Sequence, residues 1–455
     1  MKLPQSYQAP AFTQRLQWLF NPLPLMETCF QKYGDSFTLQ LIGGRNFAFF
    51  SNPQAIKEVF ELSEDKFDAG KGSNILVPLL GEQSVIIIDG KDHQKQRKLL
   101  TPPFHGDRMK SYGEIISNTT QEVINKLQIG EAFEVRSLTQ SISLKVIVKA
   151  VFGITEGERY EQIQKLLYSI LEISGSTLGT IFLFYRFLQQ DLGNWSPWGK
   201  FLRLREQIDK LIYTEIQERR DNSDTSRSDI LSLMMSARDE DDQPMTDKQL
   251  RDELMTLLFA GHETTASALV WALYWIHALP SVHTKLLAEL DNSNDSKDIS
   301  NITKLPYLNA VCNETLRIYP IAPIVFPRIL KSPVKILDYE FPAGYVLAPC
   351  IYLTHHQPDL YPESQKFKPE RFLERQFTQY EFIAFGGGTR RCIGRAFAMF
   401  EMKLVLTTIL KNIELKLTEN ADVKPIRRGI TIAPSSGSWL IATSKREPAK
   451  LVIKN

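Results

Sequence analysis

The chain has 455 residues, 43% apolar and 23% charged, enough for a large core in one big domain or two smaller ones. Its net charge of +2 argues against a dedicated nucleic-acid partner, while leaving room for a local basic face. The four cysteines, Cys29, Cys312, Cys350 and Cys392, stand far apart with no Cys-x-x-Cys spacing. That argues against zinc clusters and a disulfide framework, and it suits a reducing compartment.

The N-terminal stretch Met1 to Phe20 carries Lys2, Gln5, Gln8, Gln14, Arg15 and Gln17. It has no apolar run long enough for a secretion signal or a bilayer span. A cytoplasmic chain without a transmembrane anchor is expected, with Trp18, Leu19 and Phe20 offering at most a peripheral membrane contact. Asp35 to Phe50 alternates around Gly43-Gly44-Arg45-Asn46 and reads as a β-hairpin. Pro53 to Leu62 reads as a short helix. Asn74 to Gly81 is either core or an apolar wall over a substrate. His93 and Arg97 sit one helical turn apart, as part of a solvated basic face or as a pair of cationic contacts.

Helical patterns dominate from about Arg108 to Tyr319. Thr177 to Lys200 holds Phe182, Phe184, Tyr185, Phe187, Trp195 and Trp198, again core or a mobile wall over a lipophilic ligand. Asp221 to Ser228 and Arg238 to Asp242 read as polar loops within one domain. Thr246-Asp-Lys-Gln249 fits a capping box that opens a long helix over about 247–279. At ~1.5 Å per residue that helix is on the order of 50 Å long. It is apolar on nearly every face past Leu254, so it belongs in the middle of the fold. Gly261-His262-Glu263-Thr264 interrupts it, where charge would be costly in lipid. A buried Glu–Thr pair beside a glycine can hold water and pass protons. It can equally be a glutamate satisfied by a distant arginine. His262-Glu263 is no zinc-protease motif, because Ala266 stands where the second histidine is needed.

Glu314 and Arg317 can pair on one helix face, with Arg371 of Phe367-Lys-Pro-Glu-Arg-Phe372 as a third member. Arg328 follows a proline-rich stretch and carries the same ambiguity as His93 and Arg97. Strand-like runs appear at Val334–Leu337, Tyr345–Pro349, Glu414–Lys416, Ile430–Ala433 and Trp439–Thr443. The fold class expected is mainly α with small β-sheets.

Phe385-Gly-Gly-Gly-Thr-Arg-Arg-Cys-Ile-Gly394 places one cysteine in a glycine-rich loop that opens a helix from Arg395 to about Leu415. A thiolate at a helix N-terminus is stabilised by the dipole and by free N–H groups. The glycines permit close backbone approach, and Arg390 can meet an anionic edge. The spacing fails for a phosphate loop and for a cysteine phosphatase, and no local motif marks a histidine partner for a hydrolase. A seat for haem uses all of these features together.

In these motifs the chain resembles the cytochrome P-450 family of haem-thiolate monooxygenases. Phe385, Gly388, Arg390, Cys392 and Gly394 match its Phe-x-x-Gly-x-Arg-x-Cys-x-Gly loop. Ala260, Gly261, Glu263 and Thr264 match its oxygen-side motif, Glu314 and Arg317 its Glu-x-x-Arg, and Pro369 to Phe372 its Pro-Glu-Arg-Phe block. The resemblance covers most of the chain from about Gly34. One departure is His93, where the family often has tryptophan.

The resemblance implies the P-450 fold as one domain over 1–455, without a fused reductase, and a haem b cofactor. Cys392 would be the iron ligand, with Phe385 near the sulfur. Arg390, His93, Arg97 and Arg328 would hold the propionates, with Gly388 and Gly394 shaping the loop. Glu263 and Thr264, beside Ala260 and Gly261, would supply protons on the oxygen side. A lipophilic substrate and a ferredoxin-type electron donor with its reductase are implied partners of a monomer. Lys95, Arg97, Lys98, Arg391 and Arg395 would form the donor's docking face. Leu79-Leu80-Gly81, Asp92-His93, Gln96-Arg97-Lys98 and Pro103-Phe104 look most like the retinoic-acid hydroxylase branch of soluble bacterial relatives. That makes a retinoid such as retinoic acid the expected substrate. The alternatives are a sterol or a fatty acid, or a non-enzymatic haem-thiolate sensor.

Overall fold

The capping box at Thr246 forms as read: its hydroxyl accepts from Gln249 N, and the Gln249 side chain accepts from Thr246 N. In the computed structural model the helix it opens runs Asp247–Ala278. The structure describes residues 2–104, 106, 108–222, 227–292, 299–418, 423–435 and 439–446. Along the long helix Leu250, Leu254, Leu258, Leu269, Leu273 and Ile276 are fully buried. Its closest neighbour is the helix Val135–Phe152, which is buried on most faces too. Gly261 permits this crossing: a Cβ there would meet Ile147 Cδ1 at 3.0 Å. The helix Arg395–Asn412 packs against the same long helix from another side. It stops three residues short of the expected end. Ile413 turns extended and begins the strand Ile413–Leu417, whose alternating burial pairs it with Trp439–Lys445.

The hairpin expected between Asp35 and Phe50 consists of antiparallel strands Ser36–Gln40 and Asn46–Phe50. They open a five-stranded sheet that continues through Val346–Pro349, Arg328–Leu330 and Phe67–Asp68. The pairing of Asn46–Phe50 with Val346–Pro349 is parallel and joins the two ends of the chain. Asn52 then caps Pro53–Phe60 by accepting from Gln54 N and Ala55 N. A three-stranded sheet sets Trp439–Lys445 between Ala132–Glu134 and Ile413–Leu417. Two hairpins remain, Val334–Ile336 with Tyr339–Phe341 and Pro425–Arg428 with Thr431–Pro434. The short strands Phe67–Asp68, Ala132–Glu134, Arg328–Leu330 and Pro425–Arg428 are not readable from alternation, because two to four residues show no period.

Two expectations resolve in part. The polar loop at 221–228 begins inside the helix Pro197–Asp221, and residues 223–226 lie outside the described residues. Arg238 to Asp242 is a turn, closed by a bridge between Arg238 and Pro244. Trp18 and Leu19 are buried, so of that trio only Phe20 faces solvent. Among the described residues no single helix is long and apolar enough to cross a membrane. One bent pair, Glu158–Gly175 with Thr177–Phe184, meets that test by length and composition only.

Candidate functional site

The cysteine loop is shaped by the protein's own packing. Gly386 and Gly388 take φ of +65° and +64°, which side chains rarely adopt. A Cβ on Gly387 would stand 2.1 Å from the Phe60 ring, and one on Gly388 would stand 2.6 Å from Phe60 O. The close approach expected of this loop is therefore to Phe60. Cys392 N donates to Phe385 O at 3.0 Å and closes the loop. The Arg395 guanidinium lies 5.8 Å over the Phe385 ring.

Cys392 is exposed to solvent yet has protein packed densely around it. Burial raises its thiol pKa, and a hydrogen bond from Gly394 N–H and the charges of Arg97 and Arg391 oppose the rise. The helix-start argument thus holds in direction, while desolvation dominates until a further cation arrives.

The expected anion holders gather around this loop. Arg328 is buried, donates through Nη1 to Val59 O and stacks 4.6 Å over Phe67. Arg390 donates to Val85 O at 3.1 Å, Ile88 O at 2.8 Å and Asp89 Oδ1 at 2.7 Å. Asp89 also accepts from the backbone N–H groups of Ala69, Gly70 and Lys71, so it ties two segments to the cysteine loop. His93 is buried on the helix Gly90–Leu100, its Nδ1 3.3 Å from Glu64 Oε1. Burial and the neighbouring Arg390 charge push its pKa down to about 4. Burial and Arg390 likewise lower that of Arg328 to about 9. Arg97, one turn from His93, is half-buried and within electrostatic reach of Cys392.

Three buried donor atoms of this group have no hydrogen-bond partner among the described residues, Arg328 Nε, Arg328 Nη2 and Arg390 Nε, while His93 Nδ1 faces the Glu64 carboxylate. Buried polar atoms are nearly always satisfied, so the cluster asks for an anion. A haem presents two propionates on one edge, and these residues fit it.

The oxygen-side residues lie on the long helix. Ala260, Gly261, Glu263 and Thr264 are each partly exposed, in a helix otherwise largely buried. Thr264 Oγ1 donates to Ala260 O at 2.5 Å. Glu263 pairs with Arg136, accepts from Gln140 at 3.3 Å and lies 3.6 Å from Arg428 Nε. The distant-arginine reading is thereby realised, and it does not exclude the proton-passing one. Arg136, Gln140 and Arg428 were not singled out in the sequence. Arg427-Arg428 before Gly429 was the available signal, a doubled charge at a hairpin tip.

Behind the cysteine loop, Glu314 accepts from Arg317 Nε at 2.7 Å and Arg371 Nε at 3.1 Å, with both Glu314 and Arg317 fully buried. Arg317 also donates to the carbonyls of His355, Ser364 and Lys366. His355 Nε2 accepts from Ile383 N at 3.0 Å, two residues before Phe385. The triad therefore reaches the cysteine loop through His355.

An exposed cysteine in a glycine loop, a cluster of unpartnered donors beside it and a polar break in the long central helix are the features expected of a haem-thiolate protein of mostly helical fold. Residues 4–441 match the family model for cytochrome P450. The chain is 33% identical over 449 residues to cytochrome P450 135B1 of Mycobacterium tuberculosis, covering 98% of this chain and 93% of that one. It is 31% identical over 442 residues to cytochrome P450 138 of the same species, covering 97% and 96%. Its fold is similar to that of the retinoic acid-bound cyanobacterial CYP120A1, with a TM-score of 0.79 at 24% identity over 96% of this chain and 100% of that one. The cytochrome P450DA haem domain gives 0.81 at 22% identity, over 98% and 99%. The chain belongs to the cytochrome P450 family, the monooxygenases that carry cysteine-ligated haem b.

Proposed function

We propose that Cys392 is the iron ligand of a monooxygenase that hydroxylates a lipophilic carboxylic acid, foremost a retinoid such as retinoic acid. The observation that supports the cofactor's position best is the set of three unsatisfied arginine donors beside the Cys392 loop. When bound, a thiolate-ligated haem activates dioxygen for insertion of one oxygen atom into a C–H bond. His93, Arg97, Arg328 and Arg390 hold the propionates. Arg390 contributes through Nε, because its other nitrogens already serve Val85, Ile88 and Asp89. The Gly394 N–H and the Arg97 and Arg391 charges favour the thiolate form of Cys392.

On the long helix, the Thr264 hydroxyl donates back to Ala260 O and keeps its lone pairs free to accept from water. Glu263 passes a proton by exchanging Gln140 or Arg428 for a water molecule, while Arg136 keeps the carboxylate in place. Electrons come from a ferredoxin-type donor and its reductase. The docking face differs from the expected one. Lys95 pairs with Asp241 at 2.8 Å and Lys98 with Glu240 at 2.5 Å, so two of its five charges are already answered. Arg391 and Arg395, beside Cys392, carry the docking.

The retinoid reading rests on the residues around Leu79-Leu80-Gly81 and Asp92 to Phe104, and on likeness in fold to a relative whose structure holds retinoic acid. The segments expected to form the substrate wall divide. Leu79, Leu80 and Trp198 are core residues, whereas Phe184 and Tyr185 stay half-buried. We read the protein as a cytoplasmic monomer of one domain, and sedimentation of the purified holoenzyme checks the monomer. The reduced carbon-monoxide adduct should show the red-shifted thiolate band, and Cys392→His should remove it. A panel of haem spectral shifts over retinoids, sterols and fatty acids tests the substrate class. Binding of fatty acids without retinoids would move the enzyme to the fatty-acid alternative, and turnover with a generic ferredoxin system separates it from a sensor.

A further inference from the structure

The hairpin Pro425–Arg428/Thr431–Pro434 carries two adjacent arginines that face opposite ways. Arg428 serves acids: Glu172 at 3.0 Å and Glu263 at 3.6 Å. Arg427 has no acid partner among the described residues. Its Nε donates to Gly429 O at 3.1 Å and its Nη1 to Trp18 O. Its guanidinium lies 5.0 Å from the Trp18 ring centroid and 5.1 Å from that of Phe184. Nη2 makes no hydrogen bond among the described residues, and the residue is only partly buried. The residue keeps part of its surface open, yet burial pulls its pKa down to about 10, with no neighbouring charge in either direction. Arg427 is therefore a partly exposed cation without an acid counter-ion among the described residues.

A half-buried guanidinium held only by carbonyls and aromatic faces lacks a charge to balance it, and a carboxylate supplied from outside provides one. Two aromatic faces beside the guanidinium suit an apolar body attached to that carboxylate. The position also suits a substrate, because Phe184, against which Arg427 packs, belongs to the segment 177–200 read as a wall over the ligand. We infer that Arg427 is the receptor for the carboxylate of a lipophilic acid and makes this enzyme select free acids over their neutral esters. The inference rests on the proposed monooxygenase reading and adds the group that recognises the substrate's polar end.

The test uses holoenzyme and haem spectral titration with retinoic acid, palmitic acid and the methyl ester of each. The acids that bind should do so at least about tenfold more tightly than their esters, one charge-assisted contact's worth. Arg427→Met should abolish that ratio by weakening the acids and sparing the esters, and Arg427→Lys should restore part of it. Equal binding of acid and ester by the wild type would overturn the inference. So would an Arg427→Met enzyme, with its thiolate band and melting temperature intact, that loses acid and ester alike. That result would make Arg427 a packing residue only. The outcomes separate from the retinoid reading. Palmitic acid binding with the full acid-to-ester ratio, while retinoic acid fails, removes the retinoid and keeps Arg427. Retinoic acid and its ester binding equally does the reverse.

Discussion

Thr264 Oγ1 sits one turn above Ala260 O and already has a carbonyl to donate to. Replacing it by alanine removes the hydroxyl without disturbing the helix, since alanine is a better helix former. Thr264→Ala is expected to divert electrons from product to peroxide, with coupling reduced by on the order of tenfold or more. Peroxide released per electron consumed, with substrate present, is the measurement, and unchanged coupling would exclude the relay. A second residue acts on stability. Glu401 is fully buried, and burial pushes its pKa up to about 8 against the opposing pull of the Ser143 hydroxyl. The folded chain then keeps a proton that the unfolded chain gives up. The stability this group contributes is whole below about pH 4.5, falls across the window and is gone above about pH 8. Its share of the slope is ~1.4 kcal/mol per pH unit. Glu401→Gln should flatten the pH dependence of the unfolding free energy by about that share in that window. A variant as steep as the wild type would refute the assignment. At this scale the motifs were legible and their partners were not. Cys392 and Thr264 announce themselves by local spacing. Asp89, Arg136 and Arg427 act across tens to hundreds of positions, which a single sequence does not pair.

The elements around the cysteine loop show how a local motif becomes a scaffold. The helix Pro306–Ile318 presents Glu314 and Arg317 on one face because they are three residues apart. Burial turns that ordinary spacing into a structural device, since every donor of Arg317 finds an acceptor. Arg317→Ala leaves Glu314 buried with Arg371 as its remaining cation. The expected loss is about 3–5 kcal/mol in unfolding free energy, read from the denaturant midpoint and slope. A loss below about 1 kcal/mol would show the triad to be ornamental, as exposed pairs often are. Element ends were less legible than element types. Lys411-Asn412 marks the helix end only weakly because Ile413 and Leu415 continue the apolar pattern, and pairing with Trp439–Lys445 fixes the change from helix to strand.

For the molecule as a whole, the long-helix prediction carried most of the architecture. A capping box plus an apolar run named the central element, and its burial follows from having no polar face. The five-stranded sheet was half visible: its hairpin reads from alternation, but its parallel junction joins residues about three hundred positions apart. Charge at the surface was the least legible feature, because an isolated lysine does not reveal its partner. Reduction by the electron donor should slow with rising salt, and Arg391→Glu should slow it further. Lys98→Ala should leave it nearly unchanged, given the pairing with Glu240. Stopped-flow reduction at two ionic strengths distinguishes these. A large effect of Lys98→Ala with none of Arg391→Glu would relocate the face.

The stretch following Leu80 is clasped by the long helix. Asp252 accepts from Gln83 N at 2.8 Å, Glu253 accepts from Val85 N at 2.6 Å, and Thr256 donates to Ser84 at 2.7 Å. Gly81 admits the clasp, because a Cβ there would stand 2.1 Å from an Asp252 oxygen. Loop grafting between relatives therefore has a natural seam. Residues 74–80 would be exchanged as a cassette to test the proposed substrate wall, keeping Leu76, Leu79 and Leu80, which belong to the core. Cutting past Gly81 detaches the cassette from its hinge pin, and the chimera inherits a floating wall rather than a new one.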